Sequence, residues 1–209
     1  MLAGSLCPKA SPETSTRGLH LDRTDYKRMI YNCIPYGKEN QSLGGFYNEF
    51  MSLIGIDDWA CFIDHDAMHT TEQWFQAISA AVAQADPNVG MFTCMTNRVG
   101  NFEQIVFPKK SEEANIHDIR FHRMIGTTLL KKHYAGSKKA VRPISGLMML
   151  ISKKAWLEVG GFEEGFLAVD NKIHATLEEK GYEVRILKGI YLYHWYRAEV
   201  NPKLQPIGY

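Results

Sequence analysis

The sequence predicts an α/β fold with a mostly parallel central sheet flanked by helices. Short apolar runs rich in β-branched and aromatic residues alternate along the chain with segments whose apolar residues recur at helical spacing. One of these runs, Trp59–Ile63, ends at Asp64-His65-Asp66. Open α/β sheets bind their ligands at the carboxyl ends of strands, so a functional site is expected first at this segment.

The composition is that of an ordinary globular protein without a strong electrostatic field. Of the 209 residues, 45% are hydrophobic and 22% are charged, and the formal net charge is +1. This balance gives no attraction toward polyanions, so we expect no nucleic-acid partner. The length suits a single domain over 26–200, preceded by an arm over 1–25 that is rich in Pro, Ser, Thr and Gly and followed by a tail over 201–209.

The cysteines and the apolar runs indicate the cellular compartment. The four cysteines lack the paired spacing of metal sites, and three of them lie in strand-like runs, which predicts buried free thiols in a reducing environment. No run of about 18 apolar residues is present to form a transmembrane segment. We therefore expect a cytoplasmic protein.

The first half of the chain is expected to contain two helices and three strands. They are a strand over Met29–Pro35, a helix over Leu43–Ile54 with Phe46, Phe50, Leu53 and Ile54 inward, the strand Trp59–Ile63, a helix over Thr70–Ala85 capped by Thr70 or Thr71, and a strand over Val89–Met95. Pro35 ends the first strand because it cannot donate a backbone hydrogen bond.

The second half is less regular until residue 144. The elements expected there are a helix over 116–133, a buried strand over 144–152, helices over 153–159 and 171–180, and strands over 184–187 and 190–193. The last strand leads directly into His194-Trp195-Tyr196-Arg197.

Asp64 and Asp66 are the strongest chemical signal in the sequence. Side chains at i and i+2 of a strand point the same way, so the two carboxylates would lie side by side. They repel each other unless a proton or a cation compensates, and Mg²⁺ or Mn²⁺ is the usual ion for oxygen ligands and phosphates. The alternative is a polar loop in which Asp66 caps the next helix.

Five blocks in order give the chain a resemblance to a known family. They are Ile34-Pro35-Tyr36, the stretch from Asn40 to Asn48, Phe62-Ile63-Asp64-His65-Asp66, the block from Ser145-Gly146 to Phe162, and Asp170 followed by Gly181-Tyr182. Together they resemble glycosyltransferases of the GT-A fold (the nucleotide-diphospho-sugar transferase fold), like family 2, in a short stand-alone form. The resemblance covers roughly 29–197.

The resemblance implies a metal-dependent, inverting glycosyltransferase that moves one sugar from a nucleoside diphosphate sugar to an acceptor hydroxyl. The implied cofactor is Mn²⁺ or Mg²⁺, the favoured donor is a UDP-sugar, and the acceptor is a glycan or another hydroxyl compound. The enzyme would be hexosyltransferase-like and could form a homo-oligomer. The Gln-x-x-Arg-Trp signature of processive synthases is absent, which favours a single addition.

The resemblance also implies roles for individual residues. Asp170 would be the catalytic base, and Asp66, His194 and Asp64 would hold the metal. Donor contacts would come from Pro35, Tyr36, Asn40, Gly44, Asn48, Asp64, His65, Ser145 and Gly146, although strand alternation turns His65 away from its two neighbours. Acceptor contacts are expected from Asn97, Arg98, Trp195 and Tyr196.

Other interpretations stay open for these residues and for the whole chain. His194 would otherwise be a surface histidine beside aromatic residues, Asp170 a helix N-cap, Gly146 a tight-packing position, and Trp195 and Tyr196 edge packing. Only one strand and one helix precede the strand that ends at Asp64, so the base-binding part is expected to be abbreviated at the N-terminus. The chain could instead be a nucleotidyltransferase, a non-catalytic nucleotide-sugar or glycan-binding module, or an interaction protein.

Overall fold

The computed structural model of the protein describes residues 28–35, 42–107, 113 and 116–195. The arm over 1–25, the tail over 201–209 and the predicted site residues Tyr36, Asn40 and Tyr196 lie outside the described residues. The elements are β1 (Ile30–Cys33), α1 (Leu43–Leu53), β2 (Trp59–Ile63), β3 (Ala67–His69), α2 (Trp74–Ala83), β4 (Val89–Thr96), α3 (Ile119–His133), β5 (Ser137–Lys139), β6 (Met148–Ser152), α4 (Lys153–Glu158), α5 (Val169–Glu179) and β7 (Glu183–His194).

The strands form one seven-stranded mixed sheet in the order β1-β2-β6-β4-β7-β3, and β5 also pairs with β7. The pairs β1–β2 and β4–β7 are parallel, whereas the pairs made by β6, β3 and β5 are antiparallel. The prediction of an α/β protein is confirmed, but the prediction of a mostly parallel sheet is wrong. Alternation of strands and helices does not fix strand direction: Met148 pairs with Ile63 at the carboxyl end of β2, so β6 runs back along it.

The sheet separates two apolar clusters because alternate residues of each buried strand point to opposite faces. Ala60 and Phe62 of β2 pack on the face covered by α1, α4 and α5, while Trp59, Cys61 and Ile63 pack on the face covered by α2. All five residues of β2 are buried. Both faces of this strand are therefore fixed before it reaches the polar residues that follow it.

Two helices differ from their predicted form. The inward face of α1 carries Tyr47, Met51 and Ile54, whereas Leu53, predicted inward, is 82% exposed. The second helix begins at Trp74, and neither Thr70 nor Thr71 caps it. The Thr70 hydroxyl is buried and instead donates to the Tyr191 carbonyl oxygen at 2.6 Å.

The last strand, β7, is continuous over twelve residues, where the sequence predicts two short strands. Its register against β4 shifts between the pairs Cys94–Leu187 and Met95–Tyr191, so extra residues bulge out around Gly189. A Cβ atom at Gly189 would lie 2.0 Å from the Tyr134 carbonyl oxygen, so only glycine fits there. This continuity carries His194 to the carboxyl end of the parallel pair β4–β7.

Membrane-spanning helices were also sought in the described part of the chain. None of its helices combines the length and the apolar character that crossing a bilayer requires.

Candidate metal centre

Asp64 and Asp66 lie in a tight turn that follows β2, rather than along the strand itself. The Ala67 amide donates to the Asp64 carbonyl oxygen at 3.0 Å, which closes the turn and starts β3. Aspartate is common in such turns because its short side chain hydrogen-bonds nearby backbone. Strand alternation, which the sequence analysis expected to align the two carboxylates, is therefore not what positions them. The turn nevertheless brings both carboxylates to the same place.

His194 reaches this turn through the pairing of β3 with β7. Ala67 lies opposite His194 in that antiparallel register, so the histidine is held beside the turn. Its Nε2 atom is 3.2 Å from Asp66 Oδ1 and 3.9 Å from Asp64 Oδ2. The imidazole is 5% exposed, so the alternative of a surface histidine is excluded.

The three side chains fit a divalent metal ion. One ligand atom from each of Asp64, Asp66 and His194 lies within 4.8 Å of the others. Two ligands at right angles on an octahedral ion with bonds of about 2.1 Å lie about 3 Å apart. The 3.2 Å between His194 Nε2 and Asp66 Oδ1 matches that spacing. Carboxylate oxygens with one imidazole suit Mn²⁺ or Mg²⁺, and the distances do not choose between them.

The two carboxylates differ in their electrostatic surroundings. Burial raises the pKa of Asp64, the neighbouring Asp66 and Asp170 charges raise it further, and His194 opposes the rise. Burial would also raise the pKa of Asp66, but its hydrogen bond to His194 and the charges of His194 and His65 lower it overall. The site thus concentrates negative charge in a partly buried position, which a cation would relieve.

Asp170 lies in the first turn of α5 and faces the same site. Its Oδ2 accepts from the Gly146 amide at 2.8 Å, and its Oδ1 accepts from the Asn171 amide at 2.9 Å. The next residue after Gly146, Leu147, accepts from the Asp64 amide at 2.9 Å. A two-residue stretch of backbone therefore links the two carboxylate-bearing segments. The N-cap position of α5 belongs to Ala168, so Asp170 is not the N-cap.

Gly146 permits this close arrangement. A Cβ atom at Gly146 would lie 2.8 Å from the Cβ atom of Asp170. Because real Cβ atoms essentially never approach so closely, any larger residue would displace the aspartate. The glycine is explained by contact with Asp170, and the donor contact expected from it stays a prediction.

Several residues predicted to bind the donor make hydrogen bonds that hold loops together. The Asn48 side chain donates to the Phe162 carbonyl and accepts from the Phe162 amide, both at 2.8 Å. The Gly44 amide donates to the Gly165 carbonyl oxygen at 3.1 Å. Ser145 donates its amide to Gln104 and accepts the Asn101 amide on its hydroxyl. These contacts fix the loops on both sides of Asp170.

The remaining predicted donor residues lie at the margin of the site. Pro35 lies two residues after the end of β1, and His65 is exposed in the turn between the two carboxylates. The His65 charge lowers the pKa of both Asp64 and Asp66. A donor contact by any of these residues stays a prediction.

Of the predicted acceptor residues, Asn97 is buried and Trp195 lies beside the turn. Both polar groups of the Asn97 side chain bond the backbone of His194, a placement that does not favour the acceptor contact. Arg98 donates to the Trp195 carbonyl oxygen at 3.1 Å. The Trp195 amide donates to the Asp66 carbonyl oxygen at 2.9 Å, and its ring is 4.6 Å from that of His117.

Tyr47 is a site residue that the sequence interpretation missed. Its ring packs against Phe62 at 4.3 Å and Phe162 at 5.0 Å, and its pKa is raised by burial and by the charges of Asp64 and Asp170. The phenol is therefore within electrostatic range of both carboxylates. The spacing of Gly44, Tyr47, Met51 and Ile54 along α1 was the available signal, but the neighbouring phenylalanines suggested another face.

Comparison with solved structures gives a likeness in fold, whereas the comparisons with protein families and with curated proteins give none. No family model matches the sequence, and no curated protein matches it. Among solved structures, the chain is similar to the mannosyltransferase PcManGT from Pyrobaculum calidifontis, in complex with GDP-Man and Mn²⁺, at 17% identity and a TM-score of 0.45. The similarity covers 77% of this chain and 36% of that chain, so the matched part spans little more than a third of the mannosyltransferase.

Proposed function

We propose that this protein is a metal-dependent glycosyltransferase that transfers one sugar, with inversion, from a nucleoside diphosphate sugar to an acceptor hydroxyl. The observation that carries the proposal is the convergence of Asp64, Asp66 and His194 on one point, with Asp170 linked to the same point through backbone hydrogen bonds. Asp64, Asp66 and His194 would hold Mn²⁺ or Mg²⁺. The ion would supply charge neutralisation for the diphosphate leaving group.

Asp170 is the proposed general base. The acceptor O–H proton passes to an Asp170 carboxylate oxygen while the acceptor oxygen bonds to the anomeric carbon. In the same step the bond from that carbon to the diphosphate oxygen breaks, and the configuration inverts. Two backbone amides already bond the carboxylate, and they fix its direction while leaving lone pairs for the proton.

The acceptor contact is proposed for Trp195. Aromatic faces suit the apolar faces of sugars, and the Trp195 backbone is bonded directly to the metal-ligand turn. A glycan acceptor would then contact this ring. A UDP-sugar as donor and a homo-oligomeric state remain predictions.

The experiment is a thermal-shift and hydrolysis screen across nucleoside diphosphate sugars with Mn²⁺. Mn²⁺ with the correct diphosphate should raise the melting temperature, and the Asp66→Ala variant should lose the shift. Asp57→Ala is the matched control, because Asp57 is exposed and away from the metal centre. Release of a nucleoside diphosphate from the sugar donor supports glycosyl transfer.

Other outcomes select the competing functions. Release of pyrophosphate from a nucleoside triphosphate would identify a nucleotidyltransferase. Binding of the donor with no turnover against any acceptor would favour a binding module. The absence of any shift across the panel would refute a nucleotide-sugar site.

A further inference from the structure

We infer that Asn97 is a positioning residue, which fixes the orientation of His194 so that its Nε2 atom faces the metal. This inference rests on the proposed metal centre and assigns Asn97 a role other than acceptor binding. Asn97 directly follows β4, and its side chain is completely buried next to the end of β7.

The asparagine amide continues the sheet where the backbone ladder ends. The last parallel pair of β4 with β7 is Thr96 with Leu192. Beyond it, Asn97 Oδ1 accepts from the His194 amide at 2.7 Å, and Asn97 Nδ2 donates to the His194 carbonyl oxygen at 3.1 Å. The Thr96 hydroxyl donates to Asn97 Oδ1 at 3.2 Å and supports this orientation. Both backbone polar groups of the histidine are thereby held by one side chain.

The residue after Asn97 determines which ring nitrogen carries the hydrogen. His194 Nδ1 lies 3.0 Å from the Arg98 carbonyl oxygen. A carbonyl oxygen only accepts, so Nδ1 is a donor, and Nε2 is the ring nitrogen left for a metal ion. That atom is the one placed 3.2 Å from Asp66 Oδ1. Asn97 and Arg98 therefore hold the histidine through hydrogen bonds to its amide, its carbonyl and its ring.

These hydrogen bonds matter because a metal ion needs the Nε2 lone pair at a fixed point. Metal-ligating histidines generally bond a backbone carbonyl or a carboxylate through the other ring nitrogen, and loss of such support costs about 10–100-fold in affinity. Without Asn97, the end of β7 would lose two hydrogen bonds and the distance from Nδ1 to the Arg98 carbonyl would no longer be fixed. The ring would then populate both tautomers.

The test compares the Asn97→Asp and Asn97→Ala variants with the control Asn101→Asp. Asn101 is also a buried asparagine whose amide bridges backbone, accepting from Glu103 and donating to Pro143, but it does not contact His194. Mn²⁺ alone is titrated into each full-length protein, and free Mn²⁺ is measured by electron paramagnetic resonance. The Asn97 variants should bind Mn²⁺ about 10–100-fold more weakly, and Asn101→Asp should bind as the wild type does.

A second measurement reports on the ring directly. In protein loaded with diamagnetic Mg²⁺, the ¹⁵N shifts of His194 should show the Nδ1–H tautomer in the wild type and a mixture in Asn97→Ala. Should that variant fail to fold, Asn97→Ser replaces it, because a hydroxyl can still bond one backbone group. Folding is checked by circular dichroism in every case.

The outcomes separate this inference from the proposed function. A wild type that binds no Mn²⁺ would overturn the metal centre and the inference with it. Wild-type binding with equal affinity and an unchanged tautomer in the Asn97 variants would overturn the positioning role alone. Equal weakening by Asn97→Asp and Asn101→Asp would also overturn it, since the effect would then be general destabilisation.

Discussion

His69 gives a quantitative prediction about acid stability. The imidazole is stacked on the Trp74 ring with centroids 3.7 Å apart, and neither of its buried ring nitrogens has a hydrogen-bond partner among the described residues. Burial lowers its pKa from the ordinary value of 6.5 to about 4. The folded protein therefore resists protonating this ring, whereas the unfolded chain protonates it freely.

The magnitude follows from that difference in pKa. Each pH unit corresponds to about 1.4 kcal/mol, so a fall from 6.5 to about 4 corresponds to about 3 kcal/mol. Between these values the unfolded chain binds more protons, so the free energy of unfolding rises with pH. The contribution of neutral His69 is complete above pH 6.5 and is lost as the pH falls to about 4.

The perturbation is the substitution His69→Phe, which keeps an aromatic ring against Trp74 but does not titrate. Urea unfolding of both proteins is measured from pH 4 to pH 8 in the presence of EDTA, and the difference in free energy of unfolding is plotted against pH. The wild type should lose about 3 kcal/mol relative to the variant toward pH 4. Other titrating groups cancel in the difference, so two parallel curves would refute the reasoning.

Three further predictions concern the site and its supporting loops. Asp170→Asn should retain Mn²⁺ and donor binding but lower turnover by about 10²–10⁴-fold, because an amide cannot accept the acceptor proton; unchanged turnover in steady-state kinetics would remove the base role. Gly146→Ala should lower the free energy of unfolding by about 1–3 kcal/mol in urea, because its Cβ would lie 2.8 Å from that of Asp170; an unchanged midpoint would contradict that crowding. Asn48→Ala should cost about 1–3 kcal/mol in the same assay, because the amide and carbonyl of Phe162 and the Trp156 indole lose their partner, and a neutral result would show that water replaces it.

The sequence predicted the elements of the site better than their geometry. Asp64 and Asp66 could be found because an apolar strand breaks off at two closely spaced carboxylates. The turn that joins them, and the pairing of β3 with β7 that brings His194, depend on contacts between segments distant in sequence. Local patterns do not contain that information.

The errors have physical reasons of the same kind. The sheet was expected to be mostly parallel because element order is visible in the sequence and strand direction is not. The sequence predicts two short strands because Gly189 interrupts the apolar residues, but a glycine bulge lets one strand continue past that position. The hydrogen bonds of Asn97 to the His194 backbone could not be foreseen, since a polar residue after a strand is equally typical of a ligand contact and of a buried backbone bond.

The proposed metal ligands come from opposite regions of the chain, two from the turn after β2 and one from the end of β7. A bound ion would link two parts of the chain that are distant in sequence, as a reversible cross-link does. It would hold the end of β7 against the turn after β2. Ion release would then be coupled to fraying of the end of β7, so the end of this strand and the candidate metal centre would lose their order together.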